Sequence, residues 1–312
     1  MLKILILEGG FNEEHEVSIN TASEVKKSLK NLNIEFDSIM VNPKNFVKII
    51  DKYSKDYLCF NALHGTFGED GSLQKILDEN FIKYTHSDAI SSNIAFNKYL
   101  AKEKIKNTKI LTADSIILDT KEINELKILE IINKFEFFVI KPVASGSSFA
   151  VRIFNNYKDI MNLKNNLYDY LKIYKNHNTL LIEKYIPGRD LTVSVIDNNN
   201  KSEAIEVTEI IPKNSFYDYK SKYTKGFFKH ILPATLPKTM YETCLQYAKI
   251  AHDTIGCKGI SRSDFLYYNN KIYFLEINSQ PGLTPISLLP EQLKYKKINF
   301  DQLIMNIINL SL

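Results

Sequence analysis

The sequence specifies an α/β chain, and three observations carry that reading. Residues 1 to about 97 alternate short apolar runs (2–8, 34–41, 56–63, 81–84) with helical patterns near 18–30, 43–53 and 72–79, the pattern of a parallel sheet with helices on both faces. The alternation resumes further on, with a helical stretch from 97, a strand over 109–117, a helix over 122–134 and a strand over 136–141. Residues 261–287 then read as two strands around an Asn-rich turn, closed by a Pro281-Gly282 loop. At 312 residues the chain divides into two or three units, expected here at 1–97, 98–182 and 183–312.

Composition narrows the function classes. With 44% hydrophobic and 24% charged residues the chain is of the soluble globular kind, and no apolar run is long enough to span a bilayer, so membrane insertion is not expected. The start, Met1 to Gly10, has too short an apolar part and the wrong ending for a signal peptide, and reads as a buried strand. The net charge of +4 comes from 40 basic and 36 acidic residues spread along the chain, which argues against a nucleic-acid partner. Cys59, Cys244 and Cys257 lack metal spacing and suggest a reducing cytoplasm. Arginine occurs only as Arg152, Arg189 and Arg262 in a lysine-biased chain, so each retained arginine is a place where the planar fork is wanted.

In chain order, ligands of the first sheet should sit beyond its carboxyl strand ends. Gly9-Gly-Phe-Asn-Glu-Glu-His-Glu-Val-Ser18 and Leu63-His-Gly-Thr-Phe-Gly-Glu-Asp-Gly71 occupy those ends, and neither is a dinucleotide fingerprint. Glu14 is either a ligand or a helix-start carboxylate complementing the dipole, and His64 either a ligand or a hydrogen-bonded loop histidine. In Lys141-Pro-Val-Ala-Ser-Gly-Ser-Ser-Phe-Ala-Val151, the backbone at Gly146 and the Ser147 and Ser148 hydroxyls can approach phosphate oxygens. Lys141 ends a buried strand and needs a counter-charge. Residues 180–195 read as strand, kink, strand, with Asp190 able to accept from ribose hydroxyls. The polar-aromatic excursion 208–233 is long enough to be a lid, a helix follows over 237–255, and the apolar spacing of 300–310 is core packing.

The hairpin carries four polar groups that packing does not require: Arg262, Asp264, Glu276 and Asn278. Residues two apart on a strand share a face about 6.6 Å apart. A three-residue turn over Asn269-Asn270-Lys271 sets Asp264 opposite Glu276 and Arg262 opposite Asn278; a two-residue turn separates them unless a bulge resets the parity. We take the converging arrangement, which offers two carboxylates and an amide oxygen to a hard cation such as Mg²⁺.

Taken together, Glu14-His-Glu-Val-Ser18, Leu63-His-Gly65 with Gly68-Glu-Asp-Gly71, Lys141-Pro with Gly146-Ser-Ser148, Phe216-Tyr-Asp-Tyr-Lys-Ser-Lys-Tyr223, Arg262-x-Asp264 and Glu276-Ile-Asn-Ser-Gln-Pro-Gly282 make the chain resemble, over essentially its whole length, the D-alanine–D-alanine ligases. The resemblance implies an ATP-grasp architecture with an N-terminal Rossmann-like domain, and a homodimer. It implies that Lys98, Lys141, Ser148 and Lys222 contact ATP phosphates. Glu183, Lys184, Ile186 and Leu275 would line the adenine site, and Asp190 would hold the ribose. Asp264, Glu276 and Asn278 would hold two magnesium ions, with manganese able to substitute. Glu14, with Val17 and His64, would bind the first D-alanine, and Glu14, Ser147 and Tyr223 would form a hydrogen-bonded trio closing the lid. Arg262 and the Gly282 amide would stabilise an oxyanion, and Ser287 with Leu288 would seat the second D-alanine.

Three positions depart from the family pattern: Ala150 stands where glycine is usual, Ser145 where glutamate is, and Asn97 where aspartate is. If position 150 needs positive φ, alanine there is strained by about 1 kcal/mol. The competing readings are a ligase using D-lactate or D-serine as second substrate, which Tyr223 disfavours, and a non-catalytic nucleotide-binding regulator, which the retained metal-ligand set disfavours.

Overall fold

The computed structural model describes residues 3–53, 56–146, 150–198, 201–212 and 228–312. A parallel sheet comes first, in the order β2-β1-β3-β4: β1 is Lys3–Gly9, β2 Phe36–Val41, β3 Tyr57–Asn61 and β4 Lys83–Tyr84. β1 is central and apolar on both faces, so Ile4 to Leu7 are buried by helices above and below. Those helices are α1 (His15–Asn31), α2 (Phe46–Ile50) and α3 (Ser72–Glu79). α1 buries Val17, Thr21, Ala22, Val25 and Leu29 at helical spacing.

α4 (Ala89–Phe96) and α5 (Lys98–Ile105) lead to β5 (Leu111–Thr112) and β6 (Ser115–Asp119). The single strand expected over 109–117 is thus two strands in two different sheets. β5 pairs with the C-terminal sheet and β6 with the central one. The central sheet, β6-β9-β7-β8, is antiparallel, with β7 Phe138–Pro142, β8 Arg152–Phe154 and β9 Thr179–Lys184; it packs on α6 (Glu125–Phe135), α7 (Tyr157–Asn165) and α8 (Leu167–Lys172) around a core of its own.

The third sheet has the order β12-β11-β10-β13-β14-β5, where β10 is Arg189–Asn198, β11 Lys201–Pro212, β12 Phe228–Ile231, β13 Ile260–Tyr268 and β14 Lys271–Asn278. Both ends of the expected excursion 208–233 are therefore paired strand (Glu209 with Ile231, Pro212 with Phe228), and its middle lies outside the described residues. α9 (Lys238–Ile255) covers one face of this sheet, and α10 (Leu288–Tyr295) and α11 (Phe300–Leu310) follow.

The packing decides where a cleft can form. Ile4, Ile6 and Phe60 of the first sheet share one apolar cluster with Ile196, Ile260, Leu293 and Ile304, so the first and third sheets are joined through core. Ala101, Ile105 and Ile110 pack with Phe265, Phe274 and α9, which ties 98–112 to the C-terminal sheet instead of the central unit expected to begin at 98. The central unit keeps a separate core, so the space between it and the other two is a cleft. Among the described residues no helix is long and apolar enough to cross a membrane.

Candidate active site

β13 and β14 supply the floor of the cleft. The turn has two residues, Asn269 and Asn270, both at positive φ (49° and 55°). Of the two turns weighed from sequence, the two-residue one is present, and the converging arrangement expected there holds. The register runs from Tyr268 opposite Lys271 to Phe265 opposite Phe274, then slips so that Asp264 faces Glu276 and Arg262 faces Asn278. A bulge at Leu275 resets the parity.

On this floor the charged groups neutralise one another. The Arg262 guanidinium donates from Nε to Asp264 Oδ1 (3.0 Å) and from Nη2 to Oδ2 (2.9 Å), while Thr192 Oγ1 donates to Asp264 Oδ1 at 2.6 Å. Lys98 Nζ stands 3.2 Å from Glu276 Oε2 and donates to the Ser145 carbonyl at 2.8 Å. Asn278 Oδ1 accepts from the Gln280 amide at 2.7 Å, and Gln280 in turn accepts from Asn61 Nδ2 at 2.8 Å and donates to the Leu63 carbonyl, locking the Pro-Gly loop to the first sheet.

The first sheet contributes Glu14, Val17 and His64 to the same cleft. Glu14 is buried just before α1, and a Cβ on Gly146 would stand 2.7 Å from its Oε2, so a glycine at 146 is what leaves room for that carboxylate. His64 is buried with both ring nitrogens engaged, Nδ1 with Glu69 Oε1 and Nε2 with Thr21 Oγ1, each at 2.9 Å. Opposite them lie Gly282, Ser287 and Leu288. Thr284 Oγ1 lies 2.8 Å from Ser287 Oγ; Ser287 occupies the N-cap position of α10 without a side-chain bond to the helix amides, at a helix end where a carboxylate is favoured.

The remaining expected ATP residues run along the other lip. Lys141 on β7 and Glu183 on β9 form a buried ion pair, and Glu183 holds a second buried lysine, Lys102, through its other oxygen. Burial lowers the Lys141 ammonium to about 8, with Glu276 opposing and Lys98 reinforcing the shift. Burial, then Lys141, holds Lys102 well below its ordinary value. Lys184 ends β9, Ile186 lies on the connector that joins the two sheets, Asp190 lies at the start of β10, and Leu275 is the bulge residue; none of these four lines the cleft floor. Ser147, Ser148, Lys222 and Tyr223 lie outside the described residues. Ala150 has φ of 57°, so the strain foreseen for it is present.

Sequence reasoning missed Lys102, although Lys98 and Lys102 stand one turn apart on α5, both buried, and two lysines on a buried face demand anionic partners. His230 was also missed: it lines the cleft from β12, with Nδ1 2.6 Å from Glu291 Oε2. A third set, Ser261, His252 and Asp197, has the composition of a nucleophilic triad (2.7 and 3.1 Å), but Ser261 and His252 are buried and none of the three lines the cleft, so they anchor α9 to the sheet beside Arg262. The three thiols are buried, and burial pushes Cys59 and Cys257 up to about 12.

The donor set fits a hard divalent cation, since Asp264, Glu276 and Asn278, on one side of the hairpin, can each offer an oxygen, the carboxylates in exchange for their Arg262 and Lys98 partners. Among the described residues no third acidic or histidine side chain joins them, so nucleotide phosphates and water would complete the shell.

A parallel-sheet unit fused to an antiparallel central sheet and a mixed third sheet, with buried lysines and a carboxylate hairpin about their cleft, defines an ATP-grasp enzyme. The model of the family described as D-ala D-ala ligase C-terminus matches residues 83–309. The chain is 42% identical over 306 residues to the D-alanine–D-alanine ligase of Pelagibacter ubique (strain HTCC1062), covering 97% of this chain and 95% of that one. To the Wolbachia pipientis wMel ligase it is 39% identical, with 99% and 94% covered. The crystal structure of the Bacillus anthracis ligase superposes with a TM-score of 0.82 at 28% identity, covering 100% and 97%; the same ligase complexed with ATP superposes at 0.80 and 26%, covering 99% and 96%. The chain belongs to the D-alanine–D-alanine ligase family.

Proposed function

We propose that this protein joins two D-alanines to D-alanyl-D-alanine with hydrolysis of ATP to ADP and phosphate, the step that supplies dipeptide for peptidoglycan precursors. The observation that carries the reading is the convergence in one cleft of Glu14, Lys98, Arg262 with Gly282, the oxygen set of the hairpin, and the Ser287 cap of α10.

Each group has a task in that reaction. Glu14 pairs with the ammonium of the first D-alanine, and the Glu69-held imidazole of His64 fixes the wall beside it. Lys98 and Lys141 neutralise the nucleotide phosphates while the first carboxylate attacks the γ-phosphorus, giving an acyl phosphate. Asp264, Glu276 and Asn278 would hold the magnesium ions, which supply charge neutralisation at the transferring phosphoryl group. Ser287 and the N-terminus of α10 seat the second carboxylate. The second amine attacks the acyl carbon, and Arg262 with the Gly282 amide stabilises the tetrahedral oxyanion as phosphate leaves. Lys184, Ile186 and Asp190 hold adenine and ribose around the β9–β10 connection, and Ser147, Ser148, Lys222 and Tyr223 complete the phosphate loop and lid.

A cytoplasmic homodimer belongs to the same reading. The three free cysteines support the location, and the family resemblance the dimer. Phosphate release on mixing protein, ATP, magnesium and D-alanine tests the activity, with D-serine and D-lactate as competing second substrates. Strict dependence of phosphate release on D-alanine, with dipeptide as product, is expected. ATP binding without phosphate release would make the protein a regulator, and a preference for D-serine or D-lactate would move it to the sister specificity.

A further inference from the structure

α10 carries a buried carboxamide that no step of the proposed reaction uses. Gln292 lies in the second turn of that helix, is fully buried and does not line the cleft. Its Oε1 accepts from the Ser194 amide at 3.0 Å, and its Nε2 donates to the Thr192 carbonyl at 3.3 Å and to Thr208 Oγ1 at 2.9 Å. A backbone amide only donates and a backbone carbonyl only accepts, so these two partners fix which way the carboxamide faces. β10 and β11 lose register between Val193 and Val195, and at this break the helix side chain takes up the Ser194 amide.

These bonds join the second-substrate seat to the reaction floor. Ser287, at the N-cap of α10, stands five residues before Gln292, about 7.5 Å along the helix axis. Thr192 accepts from Gln292 through its carbonyl and donates through its hydroxyl to Asp264 Oδ1 at 2.6 Å. In the β10–β13 ladder Thr192 faces Asp264 and Ser194 faces Arg262, so Gln292 grips β10 at the two residues beside those groups. The remaining contacts of the helix are less directional. Leu289 and Leu293 join the apolar cluster between the first and third sheets, and apolar burial has no preferred direction. The ion pairs of Glu291 with His230 and of Lys296 with Glu206 each have one partner well exposed, where such pairs constrain little.

We propose that Gln292 is a positioning residue for the second substrate, holding the N-terminus of α10 in register with Arg262 and Asp264 so that the seated amino acid presents its amine to the acyl carbon. The proposal rests on the ligase reading above. Gln292 acts through the helix and through Thr192, and itself meets neither substrate nor metal. A shift of the seat by about 1 Å is enough to cost on the order of 100-fold in a reaction that depends on alignment. Glu14, Lys98 and Lys141, which serve the first D-alanine and the nucleotide, stand on other elements, so loss of the carboxamide should leave their half of the cleft in place.

The test is Q292M, which keeps the volume and the helix propensity and removes all three bonds. Steady-state dipeptide synthesis with ATP and D-alanine varied in the presence of magnesium gives one KM for ATP and two for D-alanine. A KM does not depend on how much of the protein is folded, so it separates positioning from a structural loss. In Q292M the KM of the second D-alanine should rise on the order of 10-fold or more, with those of ATP and the first D-alanine within about two-fold of wild type. T208V removes one partner of the carboxamide without touching the helix; it should raise the same constant about three-fold, and it decides the matter should Q292M not fold. An unchanged second-site KM, whatever happens to kcat, would overturn the proposal, as would a parallel rise of all three constants. A wild-type protein making no dipeptide would overturn the ligase reading, and this inference with it.

Discussion

Replacing Glu183 by glutamine should destabilise the central sheet in a way that pH reveals. Glu183 is 3% exposed, and its two oxygens hold Lys102 and Lys141, both buried. Glutamine keeps the shape but turns an NH₂ donor toward one of the ammonium groups and removes the carboxylate that bridges them. Breaking a buried ion pair from one side costs about 3–5 kcal/mol. The lysines can escape part of that by discharging: with Lys141 near 8, neutralising it at pH 7 costs about 1.4 kcal/mol, one pKa unit's worth. A net loss of about 3 kcal/mol near neutrality follows. Both lysines titrate lower in the folded state than in the unfolded chain, so the folded state binds fewer protons between the two values. For Lys141 the burial penalty is fully present below about 8 and is relieved as pH rises toward the ordinary 10.5. The mutant, whose lysines have lost their bridging carboxylate, gains more from that relief, so its deficit should narrow toward alkaline pH. Hydrogen exchange of the β7 and β9 amides reads the opening free energy of this sheet directly, which matters because its core is separate. A deficit below about 1 kcal/mol at neutral pH, or one that widens on raising the pH, would refute the triad's charge balance.

Two further outcomes follow from the same site. Arg262→Lys, which keeps a cation but not the planar fork, should lower kcat on the order of 100-fold or more with little change in the affinity for ATP; steady-state kinetics check it, and near-normal turnover would remove Arg262 from the oxyanion role. ATP binding should be coupled to proton uptake, because polyphosphate favours the charged form of Lys141; calorimetry in buffers of different ionisation enthalpy should show uptake approaching about one proton above pH 8 and almost none near pH 6, and a pH-independent null would contradict it.

What could be read from the sequence follows the physics of each element. The parallel unit was legible because alternating strands and amphipathic helices have different periods, and α3 and α11 appear at the bounds expected. The strand over 109–117 was not, since a chain that leaves one sheet and enters another keeps its apolar character through the switch. α4 was missed because Ala-Ile-Ser-Ser-Asn-Ile-Ala-Phe has almost no polar face, although its Asp88 cap, accepting from the Ser91 amide at 2.7 Å, was visible as Ser-Asp before it. Among site residues, those embedded in recurring motifs were found. Lys102, His230 and Glu291 were not, because each acts through a partner distant in sequence: Glu183 is 81 residues from Lys102, and Glu291 is 61 from His230.

The hairpin shows that the parity problem was soluble from its own residues. In Lys-Ile-Tyr-Phe-Leu-Glu-Ile-Asn the buried side chains are Ile272, Phe274 and Ile277, a step of two followed by a step of three. Strict alternation would have put Leu275 and Ile277 on the face opposite Phe274 and turned Glu276 into the core under α9. Two adjacent apolar residues, Phe274-Leu275, are where a strand's apolar set can change parity, and a bulge is the backbone device that lets it. From Ser261 to Phe265 β13 shows no such step: Ser261, Ser263 and Phe265 are buried in alternation, leaving Arg262 and Asp264 on the other face. One strand must therefore slip for both to present their polar residues to the same side, and the step of three in the buried set of β14 shows where it does. The Asn269-Asn270 turn could then remain the two-residue kind that both asparagines favour, with the chemistry on the far side of the bulge kept in register.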